Sequence, residues 1–394
     1  MGSPRPLQPR PGLDTLVGRY AILALGAARR LPWRPVIASF LVARALVLLG
    51  MLLTRAVSGP VRRDGLLGWD AEWYSRIALH GYQDLPIEGR RFFPLLPLLA
   101  RALGAPLGGH SGLALLLLTN AAALAFGLLA HRLCVQAGFG RRTADAVPWL
   151  IALAPAGFVL TMGYSESLFG VLVALVLLAV RAQRWWVVAL CGLLAGALRP
   201  TGIVIAVPVL IEAVRDLPPL LRDDLLTRRD GLLRLAAVIA PGVGLAAYLA
   251  WCWYAFGNPL APIATQADPA LRGALFYSPW QSVAGAWNGV LHGSVRQAAP
   301  LLHVVWAALA LRLLWAGRRM VPVSFTAFAA AILLLALTAR GFSSFERYAA
   351  SALPLLLVAA AKLDTTRRRR WAVAAGSMLL LAYSFTALLH AYIP

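Results

Sequence analysis

Lysine, cysteine and acidic residues are scarce in this chain of 394 residues. Its 3 cysteines lie far apart, inside or beside apolar segments, which excludes the close spacing of a metal or redox motif. Only 16 residues are acidic, and 36 of the 37 basic residues are arginine, Lys362 being the exception. Charged residues make up 13% of the chain, about half the share found in soluble globular proteins. This shortage of charge excludes an ordinary soluble fold.

Apolar residues, by contrast, are abundant in this chain. Hydrophobic residues make up 60% of the chain, and the mean hydropathy is +0.72. Because a helix needs about 20 apolar residues to cross a bilayer, the pattern predicts an all-α polytopic membrane protein with about ten to eleven transmembrane helices. The apolar runs are 35–54, 111–130, 147–162, 166–180, 185–198, 202–212, 235–256, 299–315, 320–338, 349–361 and 371–391.

The net charge of +21 would suit a nucleic-acid partner, but the arrangement of the arginines excludes one. They form short clusters between apolar runs, without a basic helix face or zinc-ligand spacing. With a cytoplasmic N-terminus and hairpins, the predicted cytoplasmic segments are the tail, 131–146, 181–184, 213–234, 312–319 and 362–370. They hold 24 of the 37 basic residues, as the positive-inside rule requires. The first external loop is an exception, with Arg55, Arg62, Arg63, Arg76, Arg90 and Arg91. We therefore expect a multi-pass protein of the cell membrane, with a cytoplasmic tail over 1–34 and a single membrane domain over 35–394.

Two pairs of apolar runs, 147–180 and 185–212, can each form a tight hairpin or one long broken helix. A single span would place Glu166 or Arg199 near the centre of the bilayer, at a cost of several kcal/mol. This cost favours hairpins, with the broken helix as the alternative.

With hairpins, the polar motifs of the chain gather on the external side of the membrane. The two long external loops, 55–91 and 257–298, contain Trp and Tyr and predict interfacial helices. The motifs are Gly68–Tyr82, Gly163–Ser167, Arg199–Gly202, Gly257–Trp280 and Arg340–Tyr348.

The segment 68–82 predicts one short helix bracketed by Gly68 and Gly81. Asp70 would lie in the first turn, where the helix dipole stabilises an ionised carboxylate that can accept a proton from an attacking hydroxyl. Glu72 would point to nearly the opposite side and pair with Arg76 four residues later. We assign the base role to Asp70, with a plain helix cap as its alternative. An extended backbone would instead permit a metal site formed by Asp70 and Glu72.

Two further motifs lie at the predicted hairpin turns. Ser165 and Glu166 fit the capping positions of a helix N-terminus better than a catalytic role. Arg199 at the bilayer edge suits a phosphate oxygen, and snorkelling toward lipid headgroups is an equally good interpretation.

The last external motif ends in Arg347 and Tyr348, immediately before an apolar helix. Arg347 is a second candidate for binding a phosphate, and we expect Glu346 to offset a neighbouring arginine. Scattered histidines are interpreted as structural, and they are His80, His292 and His303.

Taken together, the order of these motifs resembles the PIG-V-like mannosyltransferases, the family of GPI mannosyltransferase II, in its bacterial branch. The resemblance runs from about residue 35 to 360. It is carried by Trp-Asp-x-x-Trp-Tyr-x-x-Ile-Ala-x-x-Gly-Tyr (69–82), Phe-Phe-Pro-Leu-x-Pro (92–97), Tyr-Ser-Glu-Ser-Leu-Phe (164–169), Arg-Pro-Thr-Gly (199–202), Arg-Tyr (347–348) and the segment 257–266.

The resemblance implies a GT-C fold and an enzyme that uses a lipid-phosphate sugar donor on the external face. Asp70 matches the essential acid of the family, and Glu166 and Arg199 match two further motif positions. We expect inverting transfer of mannose from polyprenyl-phosphate-mannose to a lipid or glycan hydroxyl. No cofactor is required by this scheme, although a divalent metal is possible. Trp73 departs from the family, which often has His or Phe there.

Aromatic residues near Asp70 are candidates for the walls of a sugar cleft, and the alternative is an interfacial aromatic belt. They are Trp69, Trp73 and Tyr74, with Tyr348 as a further substrate-binding candidate. Two rival functions are a lipid or solute transporter, which predicts polar residues in mid-membrane and pseudo-symmetric halves, and a non-catalytic scaffold.

Overall fold

The computed structural model describes residues 32–58, 65–83, 85–215, 217, 227–267, 276–292, 300–339 and 342–390. Most of the predicted tail 1–34 and parts of both long loops lie outside these ranges. Within them the chain has no strand, and every predicted apolar run coincides with helix. The all-α prediction is therefore confirmed for the described residues.

We number the α-helices in chain order. The first eight are α1 (Trp33–Ser58), α2 (Asp70–His80), α3 (Leu95–Gly104), α4 (Ser111–Gln136), α5 (Arg141–Ala152), α6 (Glu166–Arg181), α7 (Trp185–Leu198) and α8 (Ala206–Arg215). The others are α9 (Arg228–Phe256), α10 (Ala261–Ala267), α11 (Pro279–Leu291), α12 (Pro300–Gly317), α13 (Val323–Leu337), α14 (Phe345–Ala350), α15 (Leu353–Lys362) and α16 (Thr366–Leu388). Short 3₁₀ helices include Pro155–Leu160 and Pro200–Ile205.

Four of these helices, α1, α4, α9 and α16, are long and apolar enough to cross a membrane. Shorter apolar helices lie among them, including α7, α13 and α15. Large apolar side chains project from the outer faces of the long helices, for example Leu52 of α1 and Leu235 of α9, which are 57% and 58% exposed. Such surfaces suit lipid and not water, and the chain is a membrane protein.

The segment 147–180 forms a hairpin. Helices α4 and α6 run in the same direction, because Gly163 packs on Leu115 near their starts and Gln136 Nε2 donates to the Leu178 carbonyl, at 3.2 Å, near their ends. The chain between them, α5 and the 3₁₀ helix Pro155–Leu160, must therefore return in the opposite direction. The hairpin interpretation is confirmed over the single broken span.

The segment 185–212 also reverses. Arg199, after the end of α7, reaches Glu166 at the start of α6, whereas Arg234 reaches both Gln183 and the carbonyl of Ala213. Helix α7 and helix α8 therefore connect two opposite ends of the protein. We call the end with Glu166 and Arg199 the site end, and the end with Gln183 and Arg234 the far end.

The far end includes the start of α16, since the last turn of α16 lies against Trp69 near Asp70. It includes the start of α5, because Asp145 bonds His131 near the end of α4. It also includes the start of α1, because Val36 packs on Gly127 whereas Arg44 reaches Asn120 nearer the site end. The described parts of the predicted cytoplasmic segments 131–146, 181–184 and 213–234 thus lie opposite the predicted polar motifs, whereas Arg76, Arg90 and Arg91 lie with those motifs.

Close approach of α7 and α9 fixes the centre of the bundle. A Cβ atom on Gly196 would overlap the carbonyl oxygen of Pro241, and one on Gly244 would overlap that of Leu193. Glycine is therefore required where the two backbones touch, as in many membrane helix pairs. This contact holds α7, which Arg199 follows, against α9.

Candidate active site

Helix α2 begins at Asp70 and ends at His80, with Gly81 at φ 76° as its C-cap, as the bracketing glycines predict. The residue before it, Trp69, has φ 58°, a conformation that is strained for a bulky side chain. Its indole Nε1 donates to the carbonyl of Ala387 at 3.0 Å, and its ring lies 4.5 Å from that of His390. Helix α16 thus holds the strained turn that aims Asp70 into the site.

Four charged side chains form the centre of the site, and we call them the ion-pair network: Asp70, Glu166, Arg199 and Arg347. Arg347 NH1 donates to Asp70 Oδ2 at 2.6 Å, and Arg347 Nε lies 3.5 Å from Glu166 Oε1. Arg199 NH1 donates to the same Glu166 oxygen at 3.2 Å. The structure therefore brings together residues that are up to 277 positions apart in the chain.

The ion-pair network is buried and its charges balance, and Asp70 is its most exposed member. The side chains of Glu166, Arg199 and Arg347 are 8 to 9% exposed, whereas that of Asp70 is 28% exposed. Two carboxylates and two guanidinium groups offset one another, which is what makes burial of four charges tolerable. Asp70 is thus the member of the network that an incoming hydroxyl can reach.

Aromatic side chains enclose the two arginines. The Arg347 guanidinium lies 5.7 Å from the ring centroid of Tyr164 and 5.2 Å from that of Tyr348, and Arg199 lies 5.6 Å from Tyr348. The Tyr164 hydroxyl accepts the backbone N–H of Asp70 at 3.3 Å. Tyr164 and Tyr348 therefore exclude water around the guanidinium groups and strengthen their electrostatic interactions.

Tyr74 lies on the buried face of α2, close to the network. Burial, followed by the negative charges of Asp70 and Glu166, raises the pKa of the Tyr74 phenol far above its ordinary value. The phenol is therefore protonated at physiological pH and does not act as a base.

Two predicted residues lie away from the network. Glu72 pairs with Arg76 at 3.8 Å on the outer side of α2, so the predicted pair forms. Trp73 stacks on Phe92 with ring centroids 5.7 Å apart. Asp70 and Glu72 point in different directions, and the structure does not bring them together as metal ligands.

Two expectations at the site end require correction. The Ser165 side chain makes no capping hydrogen bond, and Glu166 binds two arginines instead of only capping α6. Arg199 is 7% exposed and bound to Glu166, so it does not snorkel toward headgroups.

The expected pairing of Glu346 with a neighbouring arginine stays a prediction, because Arg340 of its motif lies outside the described residues. The Glu346 carboxylate lies 2.8 Å from His303 Nδ1, whereas Arg347 binds Asp70 and Glu166.

Sequence analysis missed Arg44 and Asn120. Arg44 donates to Asn120 Oδ1 at 3.0 Å and to the carbonyl of Leu160 at 2.6 Å, and Asn120 Nδ2 donates to the carbonyl of Thr161 at 3.1 Å. These bonds satisfy carbonyls where the 3₁₀ helix ends, just before Glu166. An arginine in the middle of an apolar run was the available signal, because such a charge is costly in a membrane.

A large apolar groove also escaped prediction. It has a volume of about 820 Å³ and runs between α5, α12, α15 and α16 from the site end to the far end. A second cavity of about 30 Å³, which Glu166 and Arg347 line, shares lining residues with the groove. The shared residues are Ala154, Ala350 and Leu356. Only short apolar side chains and the edge of α14 therefore separate the groove from the ion-pair network.

No protein-family model matches this chain. A curated relative, GPI alpha-1,6-mannosyltransferase 2 of Cricetulus griseus, is 36% identical over 155 residues. The match covers 36% of this chain and 31% of the relative, so less than a third of the relative's length is represented. The predicted resemblance to the GPI mannosyltransferase II family is confirmed by this match.

Among solved structures, the Archaeoglobus fulgidus oligosaccharyltransferase in complex with zinc and sulfate has a TM-score of 0.43 and 15% identity, over 86% of this chain and 53% of that chain. The same archaeal protein in complex with an inhibitory peptide and a dolichol-phosphate has a TM-score of 0.43 and 14% identity, over 87% and 56%. Because both scores lie below 0.5, the functional argument rests on the sequence match and on the geometry of the site.

Proposed function

We propose that this relative of GPI mannosyltransferase II is a membrane glycosyltransferase that moves mannose from polyprenyl-phosphate-mannose to an acceptor hydroxyl. The observation that carries the proposal is the ion-pair network, in which one partly open carboxylate meets two enclosed guanidinium groups. A sugar transfer from a phosphate donor needs these two kinds of group: a base for the acceptor and cations for the phosphate.

The reaction is a direct displacement at the anomeric carbon. The acceptor oxygen forms the new bond to that carbon while its proton passes to Asp70, and the bond between the carbon and the phosphate oxygen breaks. Polyprenyl phosphate leaves with the bonding electrons. The transition state is oxocarbenium-like, as in other glycosyl transfers. One displacement inverts the centre, so a β-linked donor gives an α-mannoside.

Arg347 and Arg199 are assigned to the donor phosphate. Guanidinium groups bind phosphate oxygens by paired hydrogen bonds and keep their charge when buried. Arg347 contacts both Asp70 and Glu166, so a phosphate that engages Arg347 would weaken its hold on Asp70 and leave that carboxylate to the acceptor. A donor phosphodiester carries a single negative charge and can accept hydrogen bonds from both guanidinium groups, so the scheme requires no divalent metal. We therefore expect transfer to persist in the presence of a chelator.

The apolar groove supports a lipid-linked donor. Its walls are formed largely by Leu, Ala and Val side chains, and Phe345 and Trp306 lie at its site end. A prenyl chain in this groove would place its phosphate near α14, which carries Arg347. A water-soluble nucleotide sugar would gain nothing from such a surface.

The charge distribution supports an extracytoplasmic site and a cytoplasmic N-terminus. The predicted cytoplasmic segments hold 24 of the 37 basic residues, and the positive-inside rule assigns the far end to the cytoplasm, with the arginines of loop 55–91 as the exception. The ion-pair network then faces the outside of the cell membrane. A polyprenyl-linked sugar is available on that side, where nucleotide sugars are absent.

The experiment that tests this function uses the purified protein in detergent with radiolabelled polyprenyl-phosphate-mannose and host membrane lipids. We expect the wild type to transfer label to a new product, and Asp70→Asn to lose about 100-fold or more of that transfer while remaining folded. Equal transfer by both proteins would remove Asp70 from the mechanism. In a second experiment with the protein in lipid vesicles, label that crosses the membrane without reaching a product would favour a transporter.

A further inference from the structure

A second polar cluster lies in the wall of the apolar groove, next to the ion-pair network but separate from it. We call it the Glu346 cluster: His303 and Trp306 of α12, Glu346 of α14 and Tyr383 of α16. The Glu346 side chain is 2% exposed and that of His303 is 13% exposed. An acid buried among apolar helices is costly, and the polar groups of α12 and α16 offset this cost. The mechanism above does not use any of these residues.

The indole of Trp306 fixes the direction of the two hydrogen bonds made by the Tyr383 hydroxyl. Trp306 Nε1 can only donate, and it lies 3.0 Å from the Tyr383 hydroxyl. That hydroxyl accepts from Trp306 and donates to Glu346 Oε1 at 3.1 Å. His303 Nδ1 lies 2.8 Å from each oxygen of the same carboxylate. Glu346 is therefore an acceptor held from two sides.

Helix α14 connects the cluster to the site. It has six residues, and its second and third, Glu346 and Arg347, leave the helix about 100° apart. Glu346 lies in the wall of the groove, and Arg347 belongs to the ion-pair network. The turn before the helix is strained, with Phe342 at φ 53° and Ser344 at φ 58°. In so short a helix the directions of the side chains depend on a few buried residues, which are Phe345, Glu346 and Arg347. Glu346 is the one of these that is held by hydrogen bonds from α12 and α16.

From this geometry we infer that the Glu346 cluster positions Arg347 and thereby sets the binding of the donor phosphate. Glu346, Tyr383 and His303 are positioning residues, because they touch neither the reacting atoms nor Asp70 and act through the rotation of α14. The inference rests on the proposed function where it concerns the phosphate. Its structural part, the coupling between Tyr383 and Arg347, stands independently of that function.

A double-mutant cycle tests the coupling without any need for activity. Tyr383→Phe removes one hydroxyl and keeps the ring, and Arg347→Lys keeps the charge but loses the planar contacts. Thermal unfolding midpoints are measured for the wild type, both single variants and the double variant. We expect the midpoint shift caused by Tyr383→Phe to be largely absent in the Arg347→Lys background. Equal shifts in both backgrounds would overturn the inference.

Kinetics then separates positioning from a general loss of structure. We expect Tyr383→Phe to raise the KM for polyprenyl-phosphate-mannose about fivefold to tenfold, as loss of one hydrogen bond of about 1 kcal/mol would do, with the KM for the acceptor unchanged. Tyr254→Phe, at a tyrosine that is 90% exposed, is the matched control and should change nothing. A lower kcat with an unchanged donor KM would overturn the assignment to the phosphate. No transfer by the wild type would instead contradict the proposed function, and the cycle would still decide the coupling.

Discussion

Two arginines, one at each end of the bundle, are buried almost equally and have quite different partners. Arg347 at the site end is 7% exposed, and Arg234 at the far end is 5% exposed. Arg234 donates to the carbonyl of Ala213 and to Gln183, each at 2.9 Å, and its guanidinium lies 4.6 Å from the Trp185 ring centroid. Arg347 instead meets two carboxylates, one of them reachable from outside.

The difference teaches how a structural arginine can be told from a functional one in this protein. Arg234 ties the starts of α7 and α9 and the end of α8 together through groups that carry no charge. Nothing in those contacts changes when a ligand arrives. The contacts of Arg347 can be exchanged for a phosphate, because Asp70 is open and Glu166 remains bound to Arg199. The degree of burial does not distinguish Arg234 from Arg347, because both are buried. Their partners do, because Arg234 binds uncharged groups and Arg347 binds carboxylates.

The largest effect on stability is expected for Glu166→Gln. This substitution keeps the shape but leaves Arg199 and Arg347 with Asp70 as their remaining carboxylate in the network. Breaking a buried ion pair on one side costs about 3–5 kcal/mol, because the surviving charge has no partner. Thermal unfolding in detergent should therefore show a clearly lower midpoint. An unchanged midpoint would mean that the two arginines are already solvated.

Arg347→Lys and Arg234→Lys test the comparison directly. Lysine keeps the charge but cannot reproduce the planar contacts of arginine. We expect Arg347→Lys to lower mannose transfer by about tenfold to 100-fold, or roughly 1.4–2.8 kcal/mol. Arg234→Lys should lower stability by about 1–3 kcal/mol through its lost buried hydrogen bonds, with transfer per folded molecule unchanged. Equal losses of transfer in both variants would remove the distinction between the two ends.

A smaller effect is expected at Asn120, which joins Arg44 to the turn before Glu166. Asn120→Leu removes the acceptor of Arg44 and the donor to Thr161, at a cost of about 1–3 kcal/mol. Asn120→Asp is the matched variant, because a carboxylate still accepts from Arg44 and offsets its charge. We expect its unfolding midpoint to stay closer to that of the wild type. The reverse order of the two midpoints would contradict a role for Arg44 in holding this turn.

The smallest effect is expected for Glu72→Gln. The Glu72 and Arg76 side chains are 46% and 41% exposed, and exposed ion pairs contribute little to stability. Transfer should stay within about twofold of the wild type, and stability within about 0.5 kcal/mol. A loss of transfer as large as that expected for Asp70→Asn would show that Glu72 takes part in the reaction. It would then support a metal site formed by Asp70 and Glu72.

The sequence by itself determined the helices, the hairpins and the position of Asp70. Long apolar runs predict membrane helices, because backbone N–H and C=O groups without hydrogen bonds are too costly in lipid and a helix pairs them all. The cost of placing Glu166 or Arg199 in mid-bilayer predicted the chain reversals before any contact was known. Gly68 and Gly81 marked the ends of α2, and the spacing of Asp70 and Glu72 placed them on different sides of it.

Only the tertiary structure decided which charges meet. Local spacing carries no information about contacts between Asp70 and Arg347, which are 277 residues apart. The contacts of Glu346 with His303 and Tyr383 could not be predicted for the same reason, since both partners come from other helices. The groove is likewise a property of packed helices and not of any one of them. Charge and hydropathy act along the chain, whereas pairing and cavities exist only once distant segments lie side by side.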